Sequence, residues 1–437
     1  MGGNLTICVV GLGYVGLPTA IAFHKAGFRV FGVDVNKEVI DSIESGESHL
    51  SDGSSDLEIP MNSESWSVSQ SFEESVIESD VILITVPTPV NLDRTPDLSI
   101  VESAMRSVLE SMADGRNQII VVESTVFPGA TMRIARSIEA EMSHNFPQYV
   151  KFAYSPERVS PGEEGKSAEN IAKIVGSNDE ESGLFLADIY SKITEKGCEY
   201  VGPIEVAEAA KMIENTQRDI DIAFMNELAK ILPEMGLDVM EVIDAASTKW
   251  NFHRHTPGIG VGGHCIPVDP YYYIQSSREA GIGSILSPSA REINESMPEH
   301  SAAKIARHLS PDKEVMILGL AYKPNVGDTR ESPVVGLVEE LSRLGIRSRI
   351  WDPMVTSEVE LPDGVEMVND PYQGAAGTGM VVLATAHKQC LELEWERIRD
   401  IVSEAKLFDG PRSLDRDLME SVGFEYSGVG VPDEQIS

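Results

Sequence analysis

A glycine-rich stretch with a single cysteine, residues 257–273, has the composition of a reactive loop. It reads PGIGVGGHCIPVDPYYY, and five of its first seven residues are proline or glycine. Glycines free the main chain and let a ligand approach it closely. Asp269 and Pro270 are typical of a helix start, as N-cap and first helical residue. Cys265 would then precede a helix N-terminus, where the dipole favours a thiolate nucleophile. Alternatively, Cys265 is a small buried hydrophobic residue, the commoner fate of a lone cysteine.

A long helical pattern supplies further polar candidates. It begins at Pro203 and closes by Gly236. Lys211 and Asn215 are four residues apart and share one face, and Arg218 lies near that face. Taken alone, Lys211 would more often be a solvated surface lysine. The apolar residues of the pattern offer a packing surface that would also suit a second subunit, and they are Ile213, Ile220, Ala223, Phe224 and Leu228.

Polar residues also follow several predicted strands. Thr88, Thr125 and Glu157 each come shortly after an apolar, strand-like run. Ligands of open parallel sheets bind beyond the carboxyl ends of the strands, so these residues are placed to contact a cofactor or substrate. Ordinary turn chemistry explains the same residue types equally well.

A basic loop stands out in an otherwise acidic chain. Tyr322, Lys323 and Arg330 lie within the segment LAYKPNVGDTRESP. Planar or cationic donors of this kind indicate a local anion site for a phosphate group. The alternative is a set of surface ion pairs with Asp328 and Glu331.

The elements that must position these residues begin with a nucleotide-binding pattern. An apolar run, residues 5–10, leads into GLGYVG, a helical stretch and a second apolar run that ends at Asp34, 18 residues after the last glycine. The fingerprint consists of Gly11, Gly13, Tyr14, Val15 and Gly16. Its glycines permit the tight turn and the approach of a pyrophosphate to the helix N-terminus. Asp34 can accept from both ribose hydroxyls and repels a 2′-phosphate, so NAD is favoured over NADP. A Rossmann-like fold that binds no cofactor is the alternative.

The second half of the chain repeats strand, loop, helix, strand and acid, but without the glycine fingerprint. Its predicted strands are 314–319, 347–351, 380–384 and 405–409. We therefore predict an α/β protein with an N-terminal Rossmann domain (1–200), a central helical dimerisation domain (201–309) and a C-terminal Rossmann-like domain (310–437). The segment 45–71 is predicted to be a surface loop, and the tail after Gly428 to be disordered.

Composition limits the class of protein. Asp and Glu number 70 against 35 Lys and Arg, giving a formal charge of -35 that is spread along the chain. That pattern is typical of halophilic surfaces and argues against binding to nucleic acid or anionic membranes. The four cysteines are too scattered for a disulfide framework or a zinc site, so no metal is expected. No leader or membrane span is recognisable, which predicts a cytoplasmic protein.

The ordered motifs GLGYVG, VPTP, ESTVFPG, SPERV, KMIEN, PGIGVGGHCIPVDPYY and GLAYKPNVGDTRESP together resemble the nucleotide-sugar 6-dehydrogenases, the UDP-glucose/GDP-mannose dehydrogenase family. The resemblance runs from about residue 5 to about residue 412. It implies NAD as cofactor, a UDP-sugar substrate held by the C-terminal domain, and a homodimer formed through the central helix. It also implies two successive oxidations of a primary alcohol at C6 to a carboxylate.

The resemblance further implies roles for the candidate residues. Cys265 would be the nucleophile that forms a thiohemiacetal and then a thioester. Lys211 and Asn215 would stabilise the oxyanion, Asp269 and Thr125 would organise water, and Glu157 would be an acid/base in hydrolysis. The implied cofactor contacts are Val15, Asp34, Thr88, Thr125 and Arg330. The implied substrate contacts are Arg158, Val159, Lys211, Asn215, Arg218, Gly262, Tyr322 and Lys323. Whether Asp269 is a catalyst or a helix cap stays open at this point.

The sugar is indicated by fewer residues. SPERV, STKWNF and GGHCIPVDPYY resemble the N-acetylhexosamine enzymes more than the UDP-glucose enzymes. We therefore expect UDP-N-acetyl-D-mannosamine, with UDP-N-acetyl-D-glucosamine and UDP-glucose as alternatives. Alternatives of other classes are a one-step hydroxyacid-type dehydrogenase, a non-catalytic nucleotide-sugar-binding protein, and a zinc alcohol dehydrogenase using His264 and Cys265.

Overall fold

A computed structural model describes residues 5–50, 57–61, 63–91, 93–112, 115–158, 170–263, 265–355 and 359–433. The chain divides into two compact units. The first consists of Met1–Glu214 and Tyr271–Gly283, and the second of Asn215–Pro270 and Ser284–Ser437.

The first unit is built on a sheet of eight strands. They are β1 (Thr6–Val10), β2 (Arg29–Val33), β3 (Trp66–Ser69), β4 (Val81–Ile84), β5 (Gln118–Val122), β6 (Val150–Tyr154), β7 (Lys173–Ser177) and β8 (Cys198–Tyr200). Their order is β3-β2-β1-β4-β5-β6-β7-β8. Neighbours are parallel except β6 and β7, which are antiparallel. The central strands carry fully buried Val, Ile and Leu runs, as expected of strands covered on both faces.

Helices of the first unit are α1 (Gly16–Lys25), α2 (Lys37–Glu44), α3 (Phe72–Ile77), α4 (Ser99–Glu110), α5 (Ala130–Met142) and α6 (Glu180–Tyr190). Several of these helices are capped by a preceding polar residue. The Asn36 side chain accepts a main-chain N–H at the start of α2, and the Asp179 side chain does the same for α6. The predicted strand, glycine turn, helix and strand at the N-terminus are confirmed.

The predicted long helix is α7 (Ile204–Ile231), followed by a 3-10 turn at Pro233–Met235. It begins directly after Pro203, and the chain turns away at Gly236, whose φ of 75° is left-handed. Further helices are α8 (Val239–Ser247), α9 (Asp269–Glu279), α10 (Leu286–Glu295) and α11 (Met297–His308). The chain passes from one unit to the other inside α7, inside α9, and again between Gly283 and Ser284, ahead of α10.

The second unit contains a parallel sheet of six strands. They are β9 (Val315–Leu318), β10 (Ser348–Trp351), β11 (Val365–Met367), β12 (Met380–Leu383), β13 (Lys406–Asp409) and β14 (Glu425–Gly428), in the order β11-β10-β9-β12-β13-β14. Its helices are α12 (Pro333–Arg343), α13 (Pro371–Ala375), α14 (Lys388–Leu391), α15 (Trp395–Ile401) and α16 (Arg416–Val422). Val315 and Ile317 enter one core and Met316 and Leu318 the other, so β9 is covered on both faces. The predicted repeat of the α/β pattern, and with it the fold class, is confirmed.

Two sequence-based expectations are wrong. The predicted surface loop 45–71 contains β3, which pairs with β2 from Val30 opposite Trp66 to Val33 opposite Ser69. The tail is ordered as far as residue 433: Val431 is buried, and Asp433 bonds Arg307 and His308. Pairing with β2 makes part of the first segment a strand, and the basic partners of Asp433 hold the tail in place. Neither interaction is visible in the local composition.

Candidate active site

The glycine turn after β1 leaves no room for side chains at two of its positions. Gly11 has φ +91°, and a Cβ on Gly16 would lie 1.8 Å from the Gly11 oxygen. Thr85 Oγ1 fixes the turn by donating to the carbonyls of Val10 and Gly11 at 3.0 and 2.7 Å. A Cβ on Gly13 would meet nothing within 4 Å among the described residues, so this side of the turn is open to a ligand. Such a cradle at the start of α1 fits the pyrophosphate of a dinucleotide.

Asp34 lies directly after β2. Its Oδ2 accepts the Leu12 N–H and its Oδ1 accepts the Asn36 N–H, both at 2.8 Å. Each carboxylate oxygen has a second lone pair, so the fixed side chain can still accept ribose hydroxyls. The arrangement fits NAD and disfavours the additional phosphate of NADP.

The other predicted cofactor residues of the first unit lie at neighbouring strand ends. Tyr14 and Val15 are half-buried in the glycine turn, and Thr88 and Thr125 follow β4 and β5. Ser124 Oγ donates to the Val86 carbonyl at 2.6 Å, which ties the last two loops together. Tyr272 Oη donates to the Thr88 carbonyl at 3.0 Å. The sheet therefore brings these loops to one edge, as predicted for parallel strands.

Lys211 is buried, with 8% of its surface exposed, instead of solvated. Its Nζ donates to the main-chain carbonyl of Glu157 at 2.7 Å. One turn earlier on α7, the buried Glu208 carboxylate accepts the Gly129 and Thr131 N–H groups at the start of α5. Burial raises the pKa of Glu208, and those N–H groups oppose the shift. This cap anchors α7 to the sheet unit and positions Lys211 beside Glu157.

Arg158 is oriented by Glu214 rather than left free for a ligand. Its Nε donates to a Glu214 carboxylate oxygen at 3.1 Å, and its Nη1 donates to the Ala172 carbonyl at 3.1 Å. Val159, the next predicted substrate contact, lies outside the described residues. The Glu157 carboxylate accepts the Arg158 N–H at 2.7 Å and the ammonium of Lys173 at 2.8 Å. Sequence reasoning missed Lys173, because it lies at the start of a strand that was not predicted.

In the second unit the structure brings Cys265, Asn215 and Asp269 together. The Cys265 carbonyl accepts the N–H groups of Val268 and Asp269 at 3.1 and 2.8 Å, which forms the turn into α9. The helix begins at Asp269, so Pro270 is its second residue and not its first as predicted. Asp269 is 1% exposed, and its carboxylate accepts a hydrogen bond from the Asn215 side-chain amide. Asp269 is therefore tied to α7 through Asn215.

Cys265 differs from the structural cysteines of the chain. It is exposed, whereas Cys8 and Cys390 are buried. Burial raises the pKa of the Cys390 thiol to about 12 and that of Cys8 further still. The alternative of a buried hydrophobic cysteine does not hold for Cys265.

The glycine-rich loop packs closely against the predicted anion loop. A Cβ on Gly262 would lie 2.7 Å from Tyr322 Cβ and 2.8 Å from the Glu331 oxygen, and Gly263 has φ +93° against the Tyr322 ring. Only glycine fits at these contacts. The structure thus places two predicted substrate residues, Gly262 and Tyr322, in direct contact.

The remaining predicted residues of the second unit are more exposed. Arg330 bonds Asp328 through Nε at 3.0 Å and Nη2 at 2.8 Å, so the alternative ion pair does form. Lys323 is half-buried, and Arg218 is exposed on α7 near His255. The contact between Arg330 and the cofactor stays a prediction.

A buried pair beneath the anion loop was not predicted. Asp352, after β10, accepts the N–H groups of Leu320 and Ala321 at 2.6 and 3.0 Å. His387 Nε2 lies 3.1 Å from the same carboxylate, and its Nδ1 accepts the Asn325 N–H at 2.9 Å. Burial opposes ionisation of Asp352, but these donors together lower its pKa to about 2. The position of Asp352 directly after a predicted strand could have marked it in the sequence, whereas nothing in the sequence marks His387.

A second unpredicted network holds the glycine-rich loop. The Gly258 N–H donates to Asn226 Oδ1 at 3.0 Å, and the Asn226 amide donates to Asn294 at 2.8 Å. Asn294 donates to Asp219 Oδ1 at 2.8 Å, and Arg291 donates to the same oxygen at 2.6 Å. All four side chains are buried, so the network ties the loop to α7 and α10.

Within the described residues, no group of three or more His, Cys, Asp or Glu side chains could hold a metal ion. His264, a residue of the zinc alternative, lies outside them. No described helix is long and apolar enough to span a membrane.

Three family models match the chain, all from the UDP-glucose/GDP-mannose dehydrogenase family. They are the NAD binding domain at residues 5–194, the central domain at 205–296 and the UDP binding domain at 316–416. A UDP-N-acetyl-D-mannosamine dehydrogenase from Pyrococcus horikoshii is 35% identical, over 98% of this chain and 99% of its own. A UDP-N-acetyl-D-glucosamine 6-dehydrogenase from Pseudomonas aeruginosa is 34% identical, over 95% and 98%. The solved structure of a UDP-D-ManNAc dehydrogenase from Pyrococcus horikoshii superimposes with a TM-score of 0.86 at 32% identity, covering 98% of this chain and all of that one.

Proposed function

The chain belongs to the UDP-glucose/GDP-mannose dehydrogenase family and is an NAD-dependent nucleotide-sugar dehydrogenase, and we propose that it oxidises UDP-N-acetyl-D-mannosamine twice at C6 to the uronic acid through a covalent Cys265 intermediate. One observation carries this proposal. Cys265 is exposed and begins a turn that ends at Asp269, and the Asp269 carboxylate accepts a hydrogen bond from Asn215. A one-step dehydrogenase has no use for such a thiol.

The glycine turn and Asp34 hold the cofactor, with Tyr14, Val15, Thr88 and Thr125 around them. NAD supplies the hydride acceptor for both oxidations. The aldehyde formed first cannot lose a second hydride until a nucleophile makes its carbon tetrahedral.

Cys265 provides that nucleophile. Its sulfur bonds to the aldehyde carbon, and the oxygen takes the proton, giving a thiohemiacetal. The second oxidation converts this carbon into a thioester. The exposed thiol on the turn ahead of α9 is accessible to such a carbon and lies where the helix dipole favours the thiolate.

Lys211 and Asn215 stabilise the developing charge on the C6 oxygen. They are one turn apart on α7, and each has a fixed partner: Lys211 donates to the Glu157 main-chain carbonyl, and Asn215 donates to the buried Asp269 carboxylate. Preorganised donors of this kind stabilise an oxyanion without reorganising during the reaction. Asp269, being buried and bonded by Asn215, also suits the ordering of a water.

Glu157 and Thr125 act in hydrolysis of the thioester. Water adds to the acyl carbon, the carbon–sulfur bond breaks, and Glu157 accepts a proton from the water. The carboxylate is fixed by Arg158 N–H and Lys173, which supports its role as a proton acceptor.

The UDP moiety is bound by the second unit, through the anion loop with Tyr322 and Lys323 and the adjoining Gly262. Arg158, Val159 and Arg218 complete the substrate contacts, and Arg330 contacts NAD. SPERV and STKWNF favour an N-acetylhexosamine. Full-length relatives with both the mannosamine and the glucosamine names have nearly equal identity, so UDP-N-acetyl-D-glucosamine is the competing substrate.

A homodimer formed through α7 is part of the proposal. Phe224 and Ile231 are seven residues apart on one face of the helix, and they are 51% and 49% exposed. Exposed apolar side chains aligned on a helix are typical of subunit contacts. Phe224→Asp should therefore convert a dimer to a monomer in light scattering; a wild-type monomer would contradict the proposal. A reducing, cytoplasmic location suits the catalytic thiol.

The substrate is tested by following NADH formation with UDP-N-acetyl-D-mannosamine, UDP-N-acetyl-D-glucosamine, UDP-glucose and GDP-mannose, in low and molar salt. We expect the highest kcat/KM with UDP-N-acetyl-D-mannosamine. Turnover of UDP-glucose alone would refute the inference from SPERV.

A further inference from the structure

Next to the Glu157 carboxylate lies a largely buried group of side chains, of which the steps above use only Lys173, as a donor to Glu157. This group, here called the Lys173 cluster, consists of Lys173, Glu123, Tyr190 and Cys198, all in the first unit. Lys173 is 3% exposed, Glu123 2% and Tyr190 0%. Charged side chains are seldom buried to this degree unless they are paired, so the cluster needs an explanation.

The antiparallel arrangement of β6 and β7 brings Lys173 next to Glu157. The last residue of β6, Tyr154, pairs with Gly176 of β7. Glu157 follows three residues after the end of β6, and Lys173 is the first residue of β7, three residues before Gly176. Lys173 Nζ donates to Glu157 Oε2 at 2.8 Å, with side-chain exposures of 4% and 12%.

Glu123 approaches the same ammonium from the carboxyl end of β5. Tyr190 Oη donates to Glu123 Oε1 at 2.5 Å, and Lys173 Nζ lies 5.1 Å from the Tyr190 ring centroid. Cys198 is the register partner of Lys173 on β8. Burial raises the pKa of Glu123, and the Lys173 charge opposes the rise.

One buried ammonium thus faces two carboxyl groups. An unpaired buried charge is unfavourable, so the neutral arrangement has the proton on Glu123 and the negative charge on Glu157. The other cations near Glu157 are engaged differently: Arg158 pairs with Glu214, and Lys211 donates to the Glu157 main-chain carbonyl. Lys173, by contrast, donates to the carboxylate itself.

We propose that Lys173 is a positioning residue for thioester hydrolysis, whose ammonium keeps Glu157 ionised and oriented to accept the proton of the attacking water. The inference rests on the proposed function. In the step, the water oxygen bonds to the acyl carbon, the carbon–sulfur electron pair leaves with Cys265 as thiolate, and one water proton passes to Glu157. No electrons are gained or lost, and no further reactant is required.

Lys173→Met removes the ammonium and keeps a side chain of similar length. Glu157 then loses the charge that favours its ionised form, so the acidic limb of the hydrolysis rate should move to higher pH by roughly 1–3 units. At neutral pH the enzyme should accumulate the thioester adduct on Cys265, visible by intact mass spectrometry after rapid quenching. Lys173→Arg keeps the charge and should restore most of the wild-type profile.

Lys151→Met is the matched control. Lys151 lies on β6, half of its side chain is exposed, and it pairs with Asp179 at 3.2 Å. This variant should keep the wild-type pH profile and accumulate no adduct. If Lys173→Met does not fold, the double variant Glu123→Gln with Lys173→Met removes one carboxyl together with the ammonium, and the same shift is expected.

The outcomes separate the two levels of inference. Wild-type enzyme that releases one NADH per sugar and no uronate would overturn the proposed function. Wild-type enzyme that forms uronate, with a Lys173→Met variant that keeps its acidic limb and shows no adduct, would overturn the role of Lys173 alone. A lower melting temperature without a changed pH profile would likewise mean that Lys173 is merely structural.

Discussion

Arg291→Met should be among the most destabilising single substitutions in the second unit. Arg291 and Asp219 form a buried ion pair, with 5% and 0% of their side chains exposed and 2.6 Å between Nη1 and Oδ1. Methionine retains the apolar bulk but leaves the Asp219 carboxylate without its cation. The Asn294 amide still donates to Asp219, which softens the loss.

Removing one partner of a buried ion pair costs roughly 3–5 kcal/mol, and the remaining amide bond places this variant near the lower end. At about 2–3 kcal/mol per M urea, a loss of about 3 kcal/mol lowers the unfolding midpoint by roughly 1–1.5 M. The same network holds Gly258, so the loop that contains Cys265 should loosen and activity should fall together with stability.

The loss of stability in Arg291→Met should become smaller as the pH falls. Burial raises the pKa of Asp219, while Arg291 and Asn294 oppose that rise. Without Arg291 the pKa rises further, and a carboxyl with a raised folded-state pKa destabilises the fold above that pKa. The penalty fades as pH falls through the folded pKa, so the gap between variant and wild type should narrow on acidification. Asp219→Asn in the variant background should recover part of the stability.

Urea unfolding followed by tryptophan fluorescence reports mainly on this unit, because Trp250, Trp351 and Trp395 lie in it and only Trp66 in the first. The matched control is Arg254→Met. Arg254 pairs with Asp244 at 2.8 Å, but the side chains are 46% and 62% exposed. That change should cost less than about 1 kcal/mol. Equal losses for both arginines, or a pH-independent gap for Arg291→Met, would refute the reasoning.

Three further predictions concern cofactor, nucleophile and anion loop. Cys265→Ser should abolish uronate formation while NAD affinity, measured by calorimetry, stays unchanged; wild-type turnover would remove Cys265 from its role. Asp34→Asn should raise the KM for NAD by roughly 10–100-fold, since a hydrogen bond to a charged group contributes about 1.5–3 kcal/mol. The ratio of kcat/KM for NAD to kcat/KM for NADP should fall as well. An unchanged ratio in steady-state kinetics would contradict this. Asp352→Asn should lose roughly 2 kcal/mol at neutral pH, because the pKa is lowered from 3.8 to about 2 at about 1.36 kcal/mol per unit. Because a depressed carboxyl pKa stabilises above the unfolded value, that difference in urea stability should shrink as pH falls from about 4 toward about 2, and a constant difference would contradict the role of the carboxylate.

Local patterns predicted the elements with strong periodicity. The β1 run, the glycine turn and Asp34 could be read directly, because buried parallel strands and phosphate turns each demand particular residue types. The helix from Pro203 to Gly236 was equally clear. The edge strand β3 was missed, since its residues are only half-buried and their pairing with β2 depends on a distant segment.

The sequence allowed individual residues of the candidate site to be predicted, but not the side chains that hold them in place. Cys265, Lys211 and Asp269 have recognisable neighbours in the sequence. Lys173 and His387 do not, because their meaning comes from register and topology that join segments far apart. A lysine at the start of an unassigned strand becomes informative only when the fold brings it within hydrogen-bond distance of Glu157.

The stoichiometry of the reaction tests the covalent two-step oxidation most directly. With limiting UDP-N-acetyl-D-mannosamine and excess NAD, NADH is measured by absorbance and the sugar product by mass spectrometry. We predict two NADH for each sugar consumed and a uronic acid as the product. One NADH for each sugar, with the aldehyde accumulating, would contradict it.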